Sequence, residues 1–386
     1  MPSIHSTSYI ELTREAYIHN IEFLRNYLGD KVKISSVVKG NAYGHGIDCF
    51  VPLAEEAGID HFSVHSANEA EEVLKAKKKD STEIMIMGHV ENADIPWAVK
   101  NNISFFVFEF DRVRTAIKAS KKTSIKPRIH IELETGMNRT GFNEEEINRL
   151  IPLLQENAEH LEIDGVCTHY AGAESIANYV RIQDQKKEFK HLINKLRENG
   201  INPRLEHSCC SAASFRVPDM HGDMVRIGIL QYGYWPSREI FIEYLKGRKN
   251  KTEPLRRLIS WKSSVMSVKQ VEMGEFVGYG TTFLAQRNMK IATVPIGYSH
   301  GFSRSLSNTG RALVNGFRVP VIGMVNMNNM ALDVSDVEEI KKGDEVTLIG
   351  RNDEVEISVA SFGELSDQLN YELLTRLPVK IPRIVI

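Results

Sequence analysis

The sequence predicts a (β/α)8 barrel of the TIM type followed by a mostly β C-terminal domain. Short apolar runs alternate with helical patterns from about residue 30 to 235, giving eight strand candidates. Each is followed by a helix or a loop of helical character, and eight regular repeats favour closure over an open doubly wound sheet. From about residue 236 the helical periodicity fades and turn signals separate short strands. The expected division is 1–235 for the barrel and 236–386 for the β-rich domain, with residues 1–12 available to pair with the latter.

The elements follow in order. TREAYIHNIEFLRNYLG (13–29) reads as an amphipathic helix, with Ile18, Ile21, Phe23, Leu24 and Leu28 available to pack. The barrel strands are expected at 32–39, 61–66, 84–88, 103–108, 128–133, 163–169, 204–209 and 223–229. ANEAEEVLKAKKK (67–79) places acids early and lysines late, as the helix dipole prefers. Residues 144–158 and 177–200 are further helices, the last ending on a capping glycine. In the C-terminal domain, Asn315-Gly316 between apolar runs predicts a hairpin.

Composition narrows the function classes. The 386 residues carry 48 Lys+Arg against 50 Asp+Glu, a formal charge of −2 with no basic face, which argues against nucleic acid. No apolar stretch approaches the roughly 20 residues of a membrane span. MPSIHSTSYIEL has neither a basic n-region nor an apolar h-region. The cysteines (Cys49, Cys167, Cys209, Cys210) show no metal-ligand spacing, so reduced thiols, no metal and a cytoplasmic location are expected.

Active sites of such barrels lie at the C-terminal ends of the strands. Lys39 ends the first strand. The Gly136-Met137-Asn138 turn and Arg139 follow the fifth, and His169 ends the sixth. His207, Ser208 and Ser211 sit at and after the seventh. Arg226 lies within the eighth, with Gly228 and Ile229 just after it. The loops after the last two strands are the usual phosphate cradle. They offer Ser211 at the start of a short helix and a glycine followed by free N–H groups. A lysine nucleophile, a phosphate cradle and a deep mouth together point to pyridoxal phosphate.

The chain then resembles the alanine racemase family of fold-type III pyridoxal-phosphate enzymes along essentially its whole length. SVVKGNAYGHG resembles the cofactor-lysine motif, which implies Lys39 as the covalent anchor and Tyr43 as a phosphate contact. ETGMNRTGF matches at Arg139 and THYA at His169. SAA and MVRIGILQYG imply a phosphate serine at Ser211, a pyridine-nitrogen arginine at Arg226 and a backbone cradle at Gly228 and Ile229. VGYGTTF places Tyr279 on the second catalytic base. VPIGYSHG and VIGMVNMNNM resemble substrate-side segments, including Tyr298 and Met327.

Three positions depart from the family pattern. Glu132 stands where many members have a carbamylated lysine, Asn328 where an aspartate follows the methionine, and Val379 where a tyrosine aligns near the phosphate. None touches the two bases. All three bear on which side chain the pocket accepts.

The resemblance implies an isomerase in which the amino-acid substrate displaces Lys39 from the cofactor. Lys39 and Tyr279 then move the Cα proton on opposite faces, giving L- and D-alanine. Tyr279 is expected from the partner subunit of a homodimer, with His169 and Arg226 as the relay supplying the cationic neighbour that its pKa near 10 requires. An arginine at the ring nitrogen only donates, so the ring stays neutral, which argues against the basic amino-acid decarboxylases of the same fold. The alternatives are a racemase of serine, lysine or several amino acids, and a non-catalytic cofactor-binding barrel. Barrels of the second kind lack the β domain.

Overall fold

The computed structural model describes residues 6–352, 355–359 and 370–386. Residues 1–5, part of the N-terminal segment expected to pair with the C-terminal domain, lie outside the described residues. The chain divides into two compact units: Glu15–Lys39 with Phe50–Arg257, and Met1–Arg14 with Gly40–Cys49 and Leu258–Ile386.

After β1 (Ser8–Leu12), which belongs to the second unit, come the barrel strands. These are β2 (Lys33–Val37), β3 (His61–Ser66), β4 (Glu83–His89), β5 (Ser104–Val107), β6 (Arg128–Glu132), β7 (Glu162–Cys167), β8 (Leu205–His207) and β9 (Met224–Ile227). All pairings are parallel, in the order β8-β7-β6-β5-β4-β3-β2-β9. The barrel is nearly closed. Between β8 and β9 the seam is held by an isolated Cys210–Arg226 bridge and by Arg226 N–H donating to Cys209 O at 3.0 Å.

The expected helices form at Arg14–Leu28, Ala67–Ala76, Glu144–Glu156 and Tyr179–Glu198. Asn143 caps the third in a full capping box with Glu146. Ile47–Glu56, Ile95–Lys100 and Phe110–Thr123 add three helices. Six of the eight predicted barrel strands end earlier in the structure, those at 32–39, 163–169, 204–209 and 223–229 by two residues. The first barrel strand stops at Val37 and the sixth at Cys167, so Lys39 and His169 each stand two residues beyond their strands.

The barrel interior is partly polar. Met85, Phe106, Cys167, Leu205 and Met224, all on barrel strands, form one buried apolar cluster. At the N-terminal end Glu83 pairs with Lys33 and Arg128, and Asp164 with Arg128 and Arg204.

In the second unit β1 pairs antiparallel with β10 (Ile259–Ser264), Ile10 facing Trp261. The rest of the sheet comprises β11 (Ser267–Val271), β12 (Met289–Val294), β13 (Arg311–Val314), β14 (Phe317–Ile322), β15 (Met330–Asp333), β16 (Glu345–Asn352), β17 (Val355–Ile357) and β18 (Arg383–Val385). Asn315 and Gly316 join β13 to β14 with φ of 47° and 80°, the left-handed pair that a two-residue hairpin needs.

Candidate active site

Within the barrel unit, Lys39 follows a firmly held strand end. Val38 N–H donates to Ser63 O at 2.9 Å, and Val37 O accepts from Tyr232 Oη at 3.0 Å and Gln231 Nε2 at 3.2 Å. The Lys39 side chain is open to solvent at the mouth. The surrounding barrel still pushes its pKa down by desolvation, with the Arg139 charge acting in the same direction. A larger fraction of free amine results, as a nucleophile or base requires.

Arg226 is buried, and its donors can be accounted for individually. Nη1 lies 2.6 Å from His207 Nδ1 and donates to His207 O at 2.8 Å, while Nη2 donates to Thr168 O at 2.8 Å and Ser208 O at 3.3 Å. A guanidinium has five N–H groups. Nε–H has no acceptor among the described residues and is the one left for a ligand.

Ser211 lies before the short helix Ala213–Arg216, and its Oγ accepts the Gly228 N–H at 2.9 Å. The cradle glycine is therefore not free in this structure. Ile229 opens a 3-10 turn, so its N–H has no acceptor within that turn.

Arg139 is exposed on a turn built around Glu134. The Glu134 carboxylate accepts the N–H of Gly136, of Asn138 at 2.8 Å and of Arg139 at 3.4 Å. Asn138 there has φ 58° and Gly136 φ 122°. Glu132 is 5% exposed and its Oε2 has no hydrogen-bond partner among the described residues. Burial raises its pKa, opposed by a Thr140 hydrogen bond and the Arg139 charge, and no ion pair joins it to Arg139 among the described residues.

His169 is neutral. Burial, and then the Arg226 charge, lower its pKa to about 3. The expected His169–Arg226 relay is not a direct hydrogen bond, because Arg226 Nη1 and Nη2 are committed to His207, Thr168 and Ser208. The charges acting on His169 are those of Arg226, Arg139 and Lys39. The sequence reading missed what stands behind Arg226: His130 Nδ1 lies 2.9 Å from His207 Nε2.

The remaining candidates belong to the second unit. Tyr43 ends a left-handed turn in which Gly40, Asn41, Ala42 and Tyr43 have φ of 63°, 54°, 52° and 51°, closed by Gly44 N–H donating to Gly40 O at 3.0 Å. Such backbone costs a non-glycine residue about 1–2 kcal/mol. Strain of this kind concentrates at functional sites.

Tyr279 is 76% exposed, between Gly278 (φ 75°) and Gly280 (φ 71°). Its loop is closed by Val277 N–H to Phe283 O at 3.0 Å and anchored by a cluster containing Val277 and Ala285. Tyr298 N–H donates to Asn326 O, and Ser299 N–H to Met327 O, both at 3.0 Å. These bonds bring Tyr298, Met327 and Asn328 together, with Asn328 Nδ2 donating to Ser299 Oγ at 3.0 Å. Val379 is exposed, and its carbonyl accepts from Arg383 Nη1 at 2.9 Å.

The family model for the alanine racemase N-terminal domain matches residues 12–236, and that for its C-terminal domain matches residues 258–385. The chain belongs to the alanine racemase family. It is similar to the alanine racemase of Leptospira interrogans, 33% identical over 381 residues covering 98% of this chain and 96% of the relative. It is also similar to the alanine racemase of Methanococcus maripaludis, 34% identical over 376 residues covering 97% of each. Among solved structures, alanine racemase from Clostridium difficile 630 superposes with a TM-score of 0.90 at 28% identity, covering all of this chain and 97% of that one. The Bacillus anthracis alanine racemase with bound L-Ala-P gives 0.88 at 33% identity, covering 100% and 96%. The alanine racemase family is one of isomerases, and both of its domains are represented here.

Proposed function

We propose that the chain interconverts L- and D-alanine with pyridoxal phosphate, as a cytoplasmic homodimer in which the partner's C-terminal domain completes each barrel mouth. The observation that carries this reading is Lys39: an amine of lowered pKa in the mouth of a racemase-family barrel. Three features fit the cofactor. Lys39 offers the amine for its aldehyde, Arg226 Nε–H is a donor for its ring nitrogen, and Ser211 Oγ with the Ile229 N–H suits its phosphate, to which the family resemblance adds Gly228 and Tyr43. When bound, pyridoxal phosphate holds the substrate amine and acidifies its Cα–H.

The residues divide the remaining work. Lys39 Nζ takes or returns the proton on one face of Cα. The Tyr279 hydroxyl serves the other face, and the Arg139 and Arg226 charges favour the phenolate it must pass through. Arg226 is a permanent cation that donates and never accepts, so it delivers no proton to the cofactor ring. Arg139 binds an oxygen of the substrate or cofactor, and Tyr298 and Met327 line the substrate's approach. The free cysteines fit a reducing compartment.

Incubating the protein with pyridoxal phosphate and a panel of L-amino acids, followed by chiral chromatography, tests the reading. D-alanine formation with a higher kcat/KM than any other substrate supports it. Preference for serine or lysine would assign Glu132, Asn328 and Val379 to a different pocket. Absence of any D-product would refute it.

A further inference from the structure

His207, His130 and Asp164 continue inward from Arg226 without a break. Arginine can only donate, so His207 Nδ1, 2.6 Å from Arg226 Nη1, must accept. The His207 proton is then on Nε2, facing His130 Nδ1 at 2.9 Å, and that nitrogen must also accept. The His130 proton is therefore on its own Nε2, which lies 3.3 Å from Ser104 Oγ and 3.4 Å from Asp164 Oδ2. Ser104 uses its own proton on Ile84 O at 3.3 Å, so both neighbours of His130 Nε2 are acceptors. Asp164 is fixed in turn by Arg204 Nε at 2.6 Å and Arg128 Nη2 at 2.7 Å. Every proton in the chain points away from Arg226 and toward the carboxylate.

The strand register builds this arrangement. His130 on β6 and His207 on β8 meet across β7, where the residue paired with His130 is Gly165. A Cβ at Gly165 would overlap His130 Nδ1, the atom that accepts from His207. The adjacent residue on the same strand is Asp164.

We propose that Asp164, Gly165 and His130 are positioning residues: they hold His207 as an Nδ1 acceptor and thereby fix the Arg226 guanidinium, leaving its Nε–H as the donor available at the mouth. The inference rests on the proposed racemase reading for its kinetic consequence, but not for its tautomer.

The test uses the full-length protein labelled with 15N-histidine, with and without added pyridoxal phosphate, and kinetics of three variants. Imidazole NMR should show His207 and His130 both protonated at Nε2. His130→Phe keeps an aromatic ring but removes the acceptor, and kcat should fall about tenfold or more with KM within about threefold. His130→Gln, whose amide can accept from His207 and donate to Asp164, should return kcat to within about threefold of wild type. Gly165→Ala should fall between them. A proton on His207 Nδ1, or equal kcat for the Phe and Gln variants, overturns the proposal. If His130→Phe does not fold, the wild-type tautomers and the Gln and Ala variants decide. If wild type racemises nothing, the function reading fails while the tautomer measurement still decides this one.

Discussion

The Tyr232 hydroxyl donates to the backbone carbonyl of Val37 at 3.0 Å, two residues before Lys39. Tyr232 is fully buried, and Gln231 Nε2 reaches the same carbonyl at 3.2 Å. The chain is thus clamped where β2 ends, two residues before Lys39. Tyr232→Phe removes one donor while the carbonyl stays satisfied, so the cost should be about 1 kcal/mol, seen as a lower urea midpoint. A fall in kcat at unchanged KM should accompany it. No change in either quantity would show that the clamp is idle.

Tyr279→Phe removes a hydroxyl from an exposed loop tip. Thermal stability should stay within about 0.5 kcal/mol of wild type. Solvent-deuterium incorporation should be lost mainly in one direction of racemisation. Equal loss in both directions would contradict a base serving a single face.

Acid should destabilise the fold. Burial lowers the pKa of His61 and His169 to about 3 and of His45 to about 4, against about 6.5 in an unfolded chain. Between these values the unfolded state binds more protons, so stability is full above about pH 6.5 and declines as pH falls below it. Each histidine contributes a slope of up to about 1.4 kcal/mol per pH unit. Glu83 acts in the same direction at lower pH: although burial opposes ionisation, Lys33, His61 and Arg128 bring it to about 2. Its stabilisation is lost as pH falls from about 4.5. Urea midpoints at pH 7.5 and 5.5 measure the histidine part, and His61→Asn should flatten the dependence. A midpoint insensitive to pH would contradict the buried neutral histidines.

Gly44 separates two effects of a glycine. A Cβ there would overlap Leu374 O, whereas one at Gly29 meets nothing within 4 Å, and both have positive φ. Gly29→Ala should cost about 1 kcal/mol from backbone strain alone. Gly44→Ala should cost more by about 1–3 kcal/mol of overpacking, and should weaken pyridoxal-phosphate binding in fluorescence titration through the adjoining Tyr43. Equal melting temperatures for the two variants would refute the close approach.

The barrel was legible because its strands are short β-branched and aromatic runs. HFSVHS matches β3 residue for residue, since every side chain from His61 to Val64 is buried and polarity returns at its end. FDRVRTAIKASKKT formed a helix that the strand-centred reading did not name, because its buried stripe includes Arg112 and Ser120 beside Val113, Ala116 and Ile117. The left-handed turn at 40–43 was less legible still. Gly40 and Asn41 tolerate positive φ, but nothing local forces Ala42 and Tyr43 into it. Of the site, Lys39, Arg139, Ser211 and Arg226 stood out as polar residues at, after or within the barrel strands. His130 and Asp164 did not, because a histidine or aspartate inside a strand has no spacing signal of its own. Their meaning depends on β6 and β8 facing each other across Gly165.

The account turns on Lys39 as the covalent anchor of the cofactor. Borohydride reduction of the pyridoxal-phosphate-loaded protein, followed by peptide mass mapping, tests this most directly. The pyridoxyl mass should be found on the peptide containing Lys39 and be absent from Lys39→Ala. A label on another lysine, or no label on a loaded wild-type protein, would contradict it.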